Sequence, residues 1–413
     1  RARWVHCGLQ TFDRHNLDFA APMRSFFAFA ACSLLAIIPA CTETQTVIEQ
    51  EPPPKTLDDD PDPPPEKPAP QVGSMRVVDL GEVEAGAETT FDVPKGALGF
   101  NITAEGSRSD ITASRTFGIE RITAPDGTVV HDNFTPKGGT VPTSLALFDS
   151  IASVNVPQSE NVPSDLSGKW KVRFAIYGTP VSKPPKLAGK VRIQSTADGA
   201  FHGGKLDLTV HVPRGLEIDG REIDAARAGD DPDIQYRLEY FFDLTSELLG
   251  ITRGDVSFRE EDSSYRELST EEEVLDGFAV SKGTEDGTQG LHILLTNLIA
   301  KDGEAFAAGL SAGIPGAASV FGRRVSGIIL MVTEVGEQDA HNLVHEVGHV
   351  FGLNHTTEVS GESADPLSDT PVCENISRDL DVLYECPDRS NVMFAAGAVV
   401  IPATLSPTQK RIY

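Results

Sequence analysis

Short runs in which apolar and polar residues alternate characterise residues 72–200. Examples are TTFDV, GFNITA, FGIERITA and KWKVRFAIYG, and Gly, Pro, Asn and Asp separate the runs at close, fairly regular intervals. Alternation places successive side chains on opposite faces of a strand, and turn residues at this spacing are typical of an all-β sandwich. We therefore predict a β-sandwich accessory domain over residues 72–200. The sequence shows no cluster of catalytic residue types in this range.

The pattern becomes mixed α and β over residues 201–413. Four apolar runs predict strands, and residues 309–322 are rich in Gly and predict a loop; the runs are GKLDLTVHV, DVSFRE, GLHILLTNLIA and RVSGIILMVTE. Residues 231–249 predict an amphipathic helix, with Asp231 as its cap and Pro232 in its first turn. Ser406, with Pro407 and Gln409 after it, predicts a short final helix that begins with a capping box. We predict an α+β domain over residues 201–413. It follows a sandwich that we expect to be jelly-roll-like, because residues 165–178 resemble the last strands of jelly-roll accessory domains.

The N-terminal residues indicate export. Residues 1–22 lack a starting Met and read like translated upstream sequence, so we leave them out of the fold. Residues 23–40 contain one Arg, an apolar run and small residues, which are the proportions of a signal peptide rather than of a membrane span. The ending before Cys41 resembles a bacterial lipobox, which implies cleavage there and a lipid on Cys41. Ordinary signal cleavage, with Cys41 uninvolved, is the alternative.

Pro and acidic residues dominate the stretch that follows, so residues 41–71 predict a lipidated Cys and an extended tether. A plain linker would have the same physical properties without the anchor. The formal net charge of the chain is -26, which argues against nucleic acid and anionic membrane surfaces as partners because like charges repel. We therefore expect an extracytoplasmic protein. It is either anchored to a bacterial membrane, the outer membrane, only through a lipid on Cys41, or secreted. The sequence does not indicate an oligomeric state.

The sequence with the clearest chemistry is H-E-x-x-H-x-x-G-x-x-H, formed by His345, Glu346, His349, Gly352 and His355. Residues i and i+4 share a helix face, so His345 and His349 can bind one metal ion. Three protein ligands and an open fourth position are typical of a catalytic zinc site, with Glu346 as the general base. Gly352 can adopt a positive φ, end the helix and bring His355 back as third ligand. An amphipathic helix with structural histidines is the alternative.

The motif resembles the zinc signature of the metzincin clan of metallopeptidases. This resemblance implies a methionine turn below the metal, for which Met393 is the candidate, and a peptide substrate that lies along an edge strand. Residues 324–334 or their loop are the candidate for that strand, although a core strand is the favoured interpretation of residues 328–330. The order of Asp365, Asp369, Thr370 and Pro371, two cysteines and then Met393 is similar to the pappalysin-like group. The two aspartates could hold Ca²⁺ or cap turns. A Phe follows Met393, so an oxyanion-stabilising Tyr cannot be assigned.

The cysteines fit an exported protein. Cleavage before Cys41 and a lipid on its thiol leave Cys373 and Cys386, which we expect to form one disulfide in an oxidising compartment. No cysteine lies between Cys41 and Cys373 to hold the zinc in a latent state.

Asp339 is a candidate cap of the zinc helix, and His341 lies one turn before His345 on the same face. A solvent-exposed first-turn residue is the favoured interpretation of His341, with a metal ligand as the alternative.

Together these features predict a secreted or surface-anchored zinc endopeptidase. It would hydrolyse peptide bonds by Glu346-assisted attack of a zinc-bound water. A catalytically inactive surface protein, an adhesin that uses the β-sandwich, is the alternative class. A purely structural zinc domain fits less well, because three ligands leave one position open.

Overall fold

The computed structural model describes residues 73–413 apart from thirteen short gaps: 108–110, 112–114, 134–145, 147–149, 179–185, 283–289, 302–303, 306, 318–319, 321, 359–362, 375–384 and 396–401. The predicted signal peptide at 23–40, Cys41 and the tether at 41–71 lie outside the described residues. Within the described ranges, no helix is both long and apolar enough to cross a membrane.

Eight antiparallel strands form the N-terminal part, which we call the jelly-roll unit (residues 74–195). The strands are β1 (Ser74–Glu84), β2 (Glu88–Val93), β3 (Ala97–Glu105), β4 (Arg115–Thr123), β5 (Val129–Asp132), β6 (Ile151–Val156), β7 (Gly168–Gly178) and β8 (Lys186–Ser195). They form two four-stranded sheets, in the orders β1-β8-β3-β6 and β2-β7-β4-β5. These orders are those of an eight-stranded jelly roll, so the all-β interpretation of this region is confirmed.

Aromatic packing joins the two sheets. Trp170 of β7 is fully buried, and its ring meets Phe100 of β3 edge-on at a centroid distance of 4.9 Å. Phe91 of β2 lies edge-on to Phe100 at 5.4 Å. The indole Nε1 donates to the carbonyl of Leu166 at 2.7 Å, so the one polar atom of the buried ring is satisfied. Inward-facing residues of both sheets therefore share one apolar core.

A mixed α and β part follows, which we call the metal-site unit (residues 204–413). Its strands are β9 (Gly204–Pro213), β10 (Glu217–Ile218), β11 (Arg221–Glu222), β12 (Ile251–Glu261), β13 (Glu267–Leu268), β14 (Leu291–Thr296), β15 (Leu298–Lys301), β16 (Glu304–Ala305), β17 (Gly309–Ser311) and β18 (Gly327–Met331). Its helices are α1 (Pro232–Leu249), α2 (Glu271–Phe278), α3 (Gly336–Phe351) and α4 (Pro407–Ile412), with 3-10 turns at Ala225–Asp230 and Ser263–Arg266.

Five strands form the main sheet of this unit, in the order β12-β9-β14-β18-β17. The first four are mutually parallel, and β17 pairs antiparallel with β18 at the edge. Helices α1 and α3 pack on one face in a large apolar cluster, whereas α2 packs on the opposite face. Helix α3 therefore packs against one face of the sheet, and the edge strand β17 lies beside the helix.

Local capping signals account for α1 and α4, which the sequence predicted. Asp231 caps α1 by accepting from the backbone amides of Asp233 and Ile234. Ser406 and Gln409 form both bonds of the capping box of α4. The sequence interpretation missed α2, although Thr270 and Glu273 also form a capping box there.

Three strand predictions were wrong in detail. The segment at 309–322 is not all loop, because Gly309–Ser311 forms β17. The run GLHILLTNLIA is two strands, since Asn297 turns aside and hydrogen-bonds through its side chain to the backbone of Glu217. Residues 324–334 contain an inner strand rather than the edge strand, because β17 covers β18. Strand β17 has too few residues to produce a recognisable alternation of apolar and polar positions in the sequence.

Candidate metal centre

Helix α3 begins at Gly336, three residues before the predicted cap Asp339, and Val335 caps it without a side-chain hydrogen bond. Asp339 is therefore not the cap. Its carboxylate lies in the first turn, accepts from Thr333 N and Oγ1, and forms a buried ion pair with Arg237 of α1 at 2.7 Å. Burial raises the pKa of Asp339, while the bonds from Thr333 and Arg237 act to lower it. These contacts fix the start of α3 against α1.

The three motif histidines converge at the other end of α3. His345 and His349 lie one turn apart on the helix, and His355 returns from the loop beyond it. The Nε2 atom of His355 lies 3.2 Å from that of His345 and 3.1 Å from that of His349. All three side chains are buried. In the part of the chain that the structure describes, these residues form a group that could hold a metal ion.

The second ring nitrogen of each histidine has an oxygen partner. Nδ1 donates to Val392 O at 2.6 Å in His345, to Leu353 O at 2.7 Å in His349, and to the Glu358 carboxylate at 2.9 Å in His355. With the proton on Nδ1, each neutral ring directs an Nε2 lone pair towards the other two. Three lone pairs this close repel one another unless a cation lies between them.

A zinc ion fits this arrangement. Two nitrogens that share a tetrahedral Zn²⁺ at about 2.1 Å lie about 3.4 Å apart, close to the separations seen here. Burial, with a smaller contribution from His355, lowers the pKa of His345 to about 3. Burial and the neighbouring histidines also lower the pKa of His349 well below its ordinary value. The rings of His345 and His349 are therefore neutral at physiological pH, which is the form that binds metal.

Gly352 makes the return of His355 possible. It ends α3 with a φ of 112°, a conformation that side-chain-bearing residues rarely adopt. The amides of Gly352 and Leu353 both donate to the carbonyl of Gly348, at 3.0 and 2.9 Å. The chain reversal that the sequence predicted is therefore present at Gly352.

Glu346 is buried on the side of α3 that faces the edge strand. Burial raises its pKa to about 8, and a hydrogen bond from the Ser311 side chain partly opposes this. Gly309 leaves room for it, because a Cβ at residue 309 would lie 2.7 Å from Glu346 Cγ and 3.0 Å from Oε1. Strand alternation explains the contact, since Leu310 points to the α2 face while Gly309 and Ser311 face α3.

Met393 is fully buried and packs against α3 at Gly348. A Cβ at Gly348 would lie 2.5 Å from its sulfur, so the absence of a side chain at residue 348 lets the sulfur approach the helix backbone. The carbonyl of Val392, the preceding residue, accepts from His345. The turn that contains Met393 therefore touches α3 between two of the histidines.

Asp365 and Asp369 form hydrogen bonds that hold turns. Asp365 accepts from Leu367 N at 3.1 Å and Thr370 Oγ1 at 2.5 Å, and burial raises its pKa to about 7. Asp369 accepts from Ser406 Oγ and Thr408 N, both at 2.9 Å, and so ties this loop to the start of α4.

The disulfide between Cys373 and Cys386 is present. It joins the loop that contains Asp365 to the segment that leads to Met393.

His341 lies away from the three histidines. Its ring packs against Tyr240 of α1 at a centroid distance of 5.8 Å, and it is buried rather than solvent-exposed. Neither ring nitrogen has a hydrogen-bond partner among the described residues. His341 is therefore not part of the group of three histidines that could hold a metal ion.

Five participants were missed from the sequence: Gly309, Ser311, Glu358 and the carbonyls of Leu353 and Val392. Glu358 could have been found, because a ligand histidine commonly donates its second ring nitrogen to a carboxylate, and Glu358 lies three positions after His355. The Leu353 carbonyl depends on the turn at Gly352, and the other three depend on the edge strand and the turn at Met393, which only the tertiary fold brings to α3.

No protein-family model and no curated protein matches the chain. Among solved structures, the chain is similar to metalloproteinase-II from Bacteroides fragilis, with 12% identity, a TM-score of 0.29 and coverage of 50% of each chain. It is also similar to archaemetzincin from Methanopyrus kandleri, with 18% identity, a TM-score of 0.26 and coverage of 50% of this chain and 85% of that one. The chain thus spans half the length of the Bacteroides protein.

Proposed function

We propose that this protein is a zinc-dependent endopeptidase of the metzincin type, nearest to the pappalysin-like group. The observation that carries the proposal is the convergence of three buried Nε2 atoms with a buried carboxyl group directly after the first histidine. A structural site would close the fourth position with protein, whereas three histidines leave it open. An inactive binding protein would not need Glu346 buried beside the site.

The roles follow from the contacts. His345, His349 and His355 would hold the zinc, and their Nδ1 partners keep each ring in the metal-binding tautomer. Zinc, when bound, supplies a Lewis acid that polarises the scissile carbonyl and lowers the pKa of water to about 7. Glu346 would take a proton from the attacking water and deliver it to the leaving amine. Met393 would support the floor of the site without binding the metal.

Strand β17 is the best candidate for substrate binding. It is the edge strand of the sheet, it pairs with β18 on one side, and Gly309 and Ser311 adjoin Glu346. An extended peptide could add to the other side of β17 through backbone hydrogen bonds, which would bring its carbonyl groups past the base. This assigns the substrate to the class of extended protein or peptide chains.

The sequence supports an extracytoplasmic location. The signal-like residues 23–40, the lipobox-like ending before Cys41 and the tether suit a lipid-anchored or secreted enzyme, and a disulfide suits an oxidising compartment. We include this location, and Ca²⁺ binding at Asp365 and Asp369 as an alternative to turn capping, in the proposal.

Zinc content and cleavage of a generic protein such as casein test the proposal. Wild-type protein should contain one zinc per chain and cleave casein, with activity lost to a chelator and restored by Zn²⁺. Glu346→Gln should keep the zinc and lose activity by about 10²–10⁴-fold. His349→Ala should lose both. A wild-type protein that binds zinc but shows no cleavage dependent on Glu346 would exclude the enzyme and favour the binding protein.

A further inference from the structure

The end of α3 receives a hydrogen bond from outside its own unit. A helix leaves its last four carbonyls without helical partners. Here Gly348 O accepts from the turn at Gly352, and Val350 O accepts from Gly316 N at 3.0 Å. The carbonyl of Phe351, directly before Gly352, accepts from the side-chain amide of Asn155 at 2.6 Å. Asn155 belongs to the jelly-roll unit, 196 residues earlier in the chain.

Strand β6 directs the Asn155 side chain away from the jelly-roll core. Ala152, Val154 and Val156 point into the jelly-roll core, so alternation directs Ile151 and Asn155 outward. Across the strand pair, Asn101 Nδ2 donates to Asn155 Oδ1 at 2.7 Å. This bond occupies the oxygen of the Asn155 amide and leaves its NH₂ group facing Phe351.

Further contacts join the same two units. Arg323 pairs with Glu105 at 3.1 Å and hydrogen-bonds to Ser150, and Ser368 donates to Glu160 at 2.5 Å. Arg411 of α4 donates to the carbonyls of Val162 and Pro163, at 3.0 and 2.9 Å. An apolar cluster of Ile151, Ala317 and Val325 fills the space beside β6. Thus the jelly-roll unit touches the metal-site unit before β18, in the Asp365 loop and at the last helix.

We propose that the jelly-roll unit is a structural part of the metal site, and that Asn155 is a positioning residue for the third ligand. By holding the carbonyl of Phe351, Asn155 fixes the backbone on one side of Gly352, and the reversal at Gly352 determines where His355 meets His345 and His349. This inference rests on the proposed zinc site. It assigns residues 72–200 a supporting role, in contrast to a pro-segment that must be removed for activity.

Replacement of Asn155 in the full-length protein tests the proposal. Asn155→Ala removes the donor, and the nearly isosteric Asn155→Asp turns it into an acceptor facing a carbonyl. Ser368→Ala is the matched control, because it removes another hydrogen bond between the units without touching α3. Zinc affinity is measured by competition with a chelator, and amide hydrogen exchange at residues 352 and 353 is measured in the metal-free protein.

We expect Asn155→Ala to weaken zinc binding about tenfold and Asn155→Asp to weaken it further, the range typical when a residue that supports a ligand is changed. Amide exchange at residues 352 and 353 should accelerate in both variants and stay unchanged in Ser368→Ala. Equal zinc affinity and equal exchange in Asn155→Ala and wild type would overturn the proposal, as would an equal loss in Ser368→Ala. If wild type binds no zinc, the proposed function fails, whereas exchange at residues 352 and 353 still reports on the Asn155 bond.

Discussion

The jelly-roll unit and the metal-site unit both bury histidines, but they treat the two ring nitrogens differently. In the jelly-roll unit His131 is buried with Nε2 on Ile119 O at 3.0 Å and Nδ1 on Gln158 at 2.7 Å. In the metal-site unit each of the three motif histidines has an oxygen partner for Nδ1 alone, and the Nε2 atoms face one another. Both nitrogens of His131 are satisfied by protein, whereas each motif histidine leaves one available to a metal ion.

The rest of each interior shows the same contrast. The jelly-roll core is held by aromatic and branched apolar side chains between two sheets. The metal-site unit buries Arg237, Asp339, Glu346 and Asp365 in addition to its histidines. Burial of a charged group is costly unless it is paired, protonated or bound to a cation. Substitutions that remove buried volume should therefore destabilise the jelly-roll unit. The metal-site unit should instead be destabilised by removal of the partner of a buried charged group and by changes of pH.

The largest effect is expected at Trp170. Trp170→Ala removes a fully buried ring that contacts Phe100, and should lower the free energy of unfolding by about 3–5 kcal/mol at any pH between 5 and 8. Urea unfolding measures this. Val77→Ala is the control, since Val77 is 57% exposed and should change stability by less than about 0.5 kcal/mol. A strongly pH-dependent loss would contradict the idea that packing alone holds this core.

Arg237 is the counterpart in the metal-site unit. Arg237→Met leaves Asp339 buried with only the Thr333 donors, and should lower the free energy of unfolding by about 3 kcal/mol, the lower end of the cost of breaking a buried pair. The double variant Arg237→Met with Asp339→Leu should recover most of the loss. Urea unfolding of the single and double variants checks both statements. If the double variant is as unstable as the single one, the charge left behind is not the cause.

The sequence predicted the parts of this contrast that local patterns carry. Strand alternation indicated the jelly-roll unit, capping residues located α1 and α4, and the spacing of the motif placed the three histidines and Gly352. Prediction failed where position depends on distant partners. Asp339 resembled a helix cap, but Arg237 and Thr333 hold it inside the first turn. Strand β17 has three residues, too few for a pattern, and it becomes an edge strand only by pairing with β18.

The pH dependence of the free energy of unfolding should distinguish the metal-site unit from the jelly-roll unit, and Asp365 is the group that we expect to cause the difference. Burial raises its pKa in the folded protein to about 7, compared with about 3.9 in an unfolded chain. The neutral form is thus favoured by folding, so its contribution is complete below pH 4 and is lost as the pH rises through 7. Between pH 5 and pH 8 wild type should lose about 2–3 kcal/mol through this group.

Asp365→Asn should not show that loss, because the amide does not ionise. Urea unfolding at both pH values with calcium removed by EGTA measures the difference between variant and wild type. A difference that stays constant from pH 5 to pH 8 would mean that Asp365 is charged throughout. Stabilisation of wild type at pH 8 by added Ca²⁺, absent in the variant, would favour the calcium interpretation of this loop.

The smallest effect concerns the space beside Glu346. In Gly309→Ala the added Cβ would lie 2.7 Å from Glu346 Cγ, so the carboxylate must move by a fraction of an ångström. Small displacements of a catalytic group are costly, and we expect kcat/KM for a peptide substrate to fall about tenfold, which corresponds to about 1.4 kcal/mol. Zinc affinity should not change, because the histidines and their Nδ1 partners do not touch residue 309. Gly316→Ala is the matched control, since its Cβ would meet Val350 at 3.3 Å, one helical turn beyond Glu346, and Glu346 is not among its nearest neighbours. Weaker zinc binding in Gly309→Ala would show that β17 supports the metal ligands as well as Glu346. In that case the metal site would depend on the edge strand too, and not only on partners next to the histidines, in contrast to the jelly-roll core.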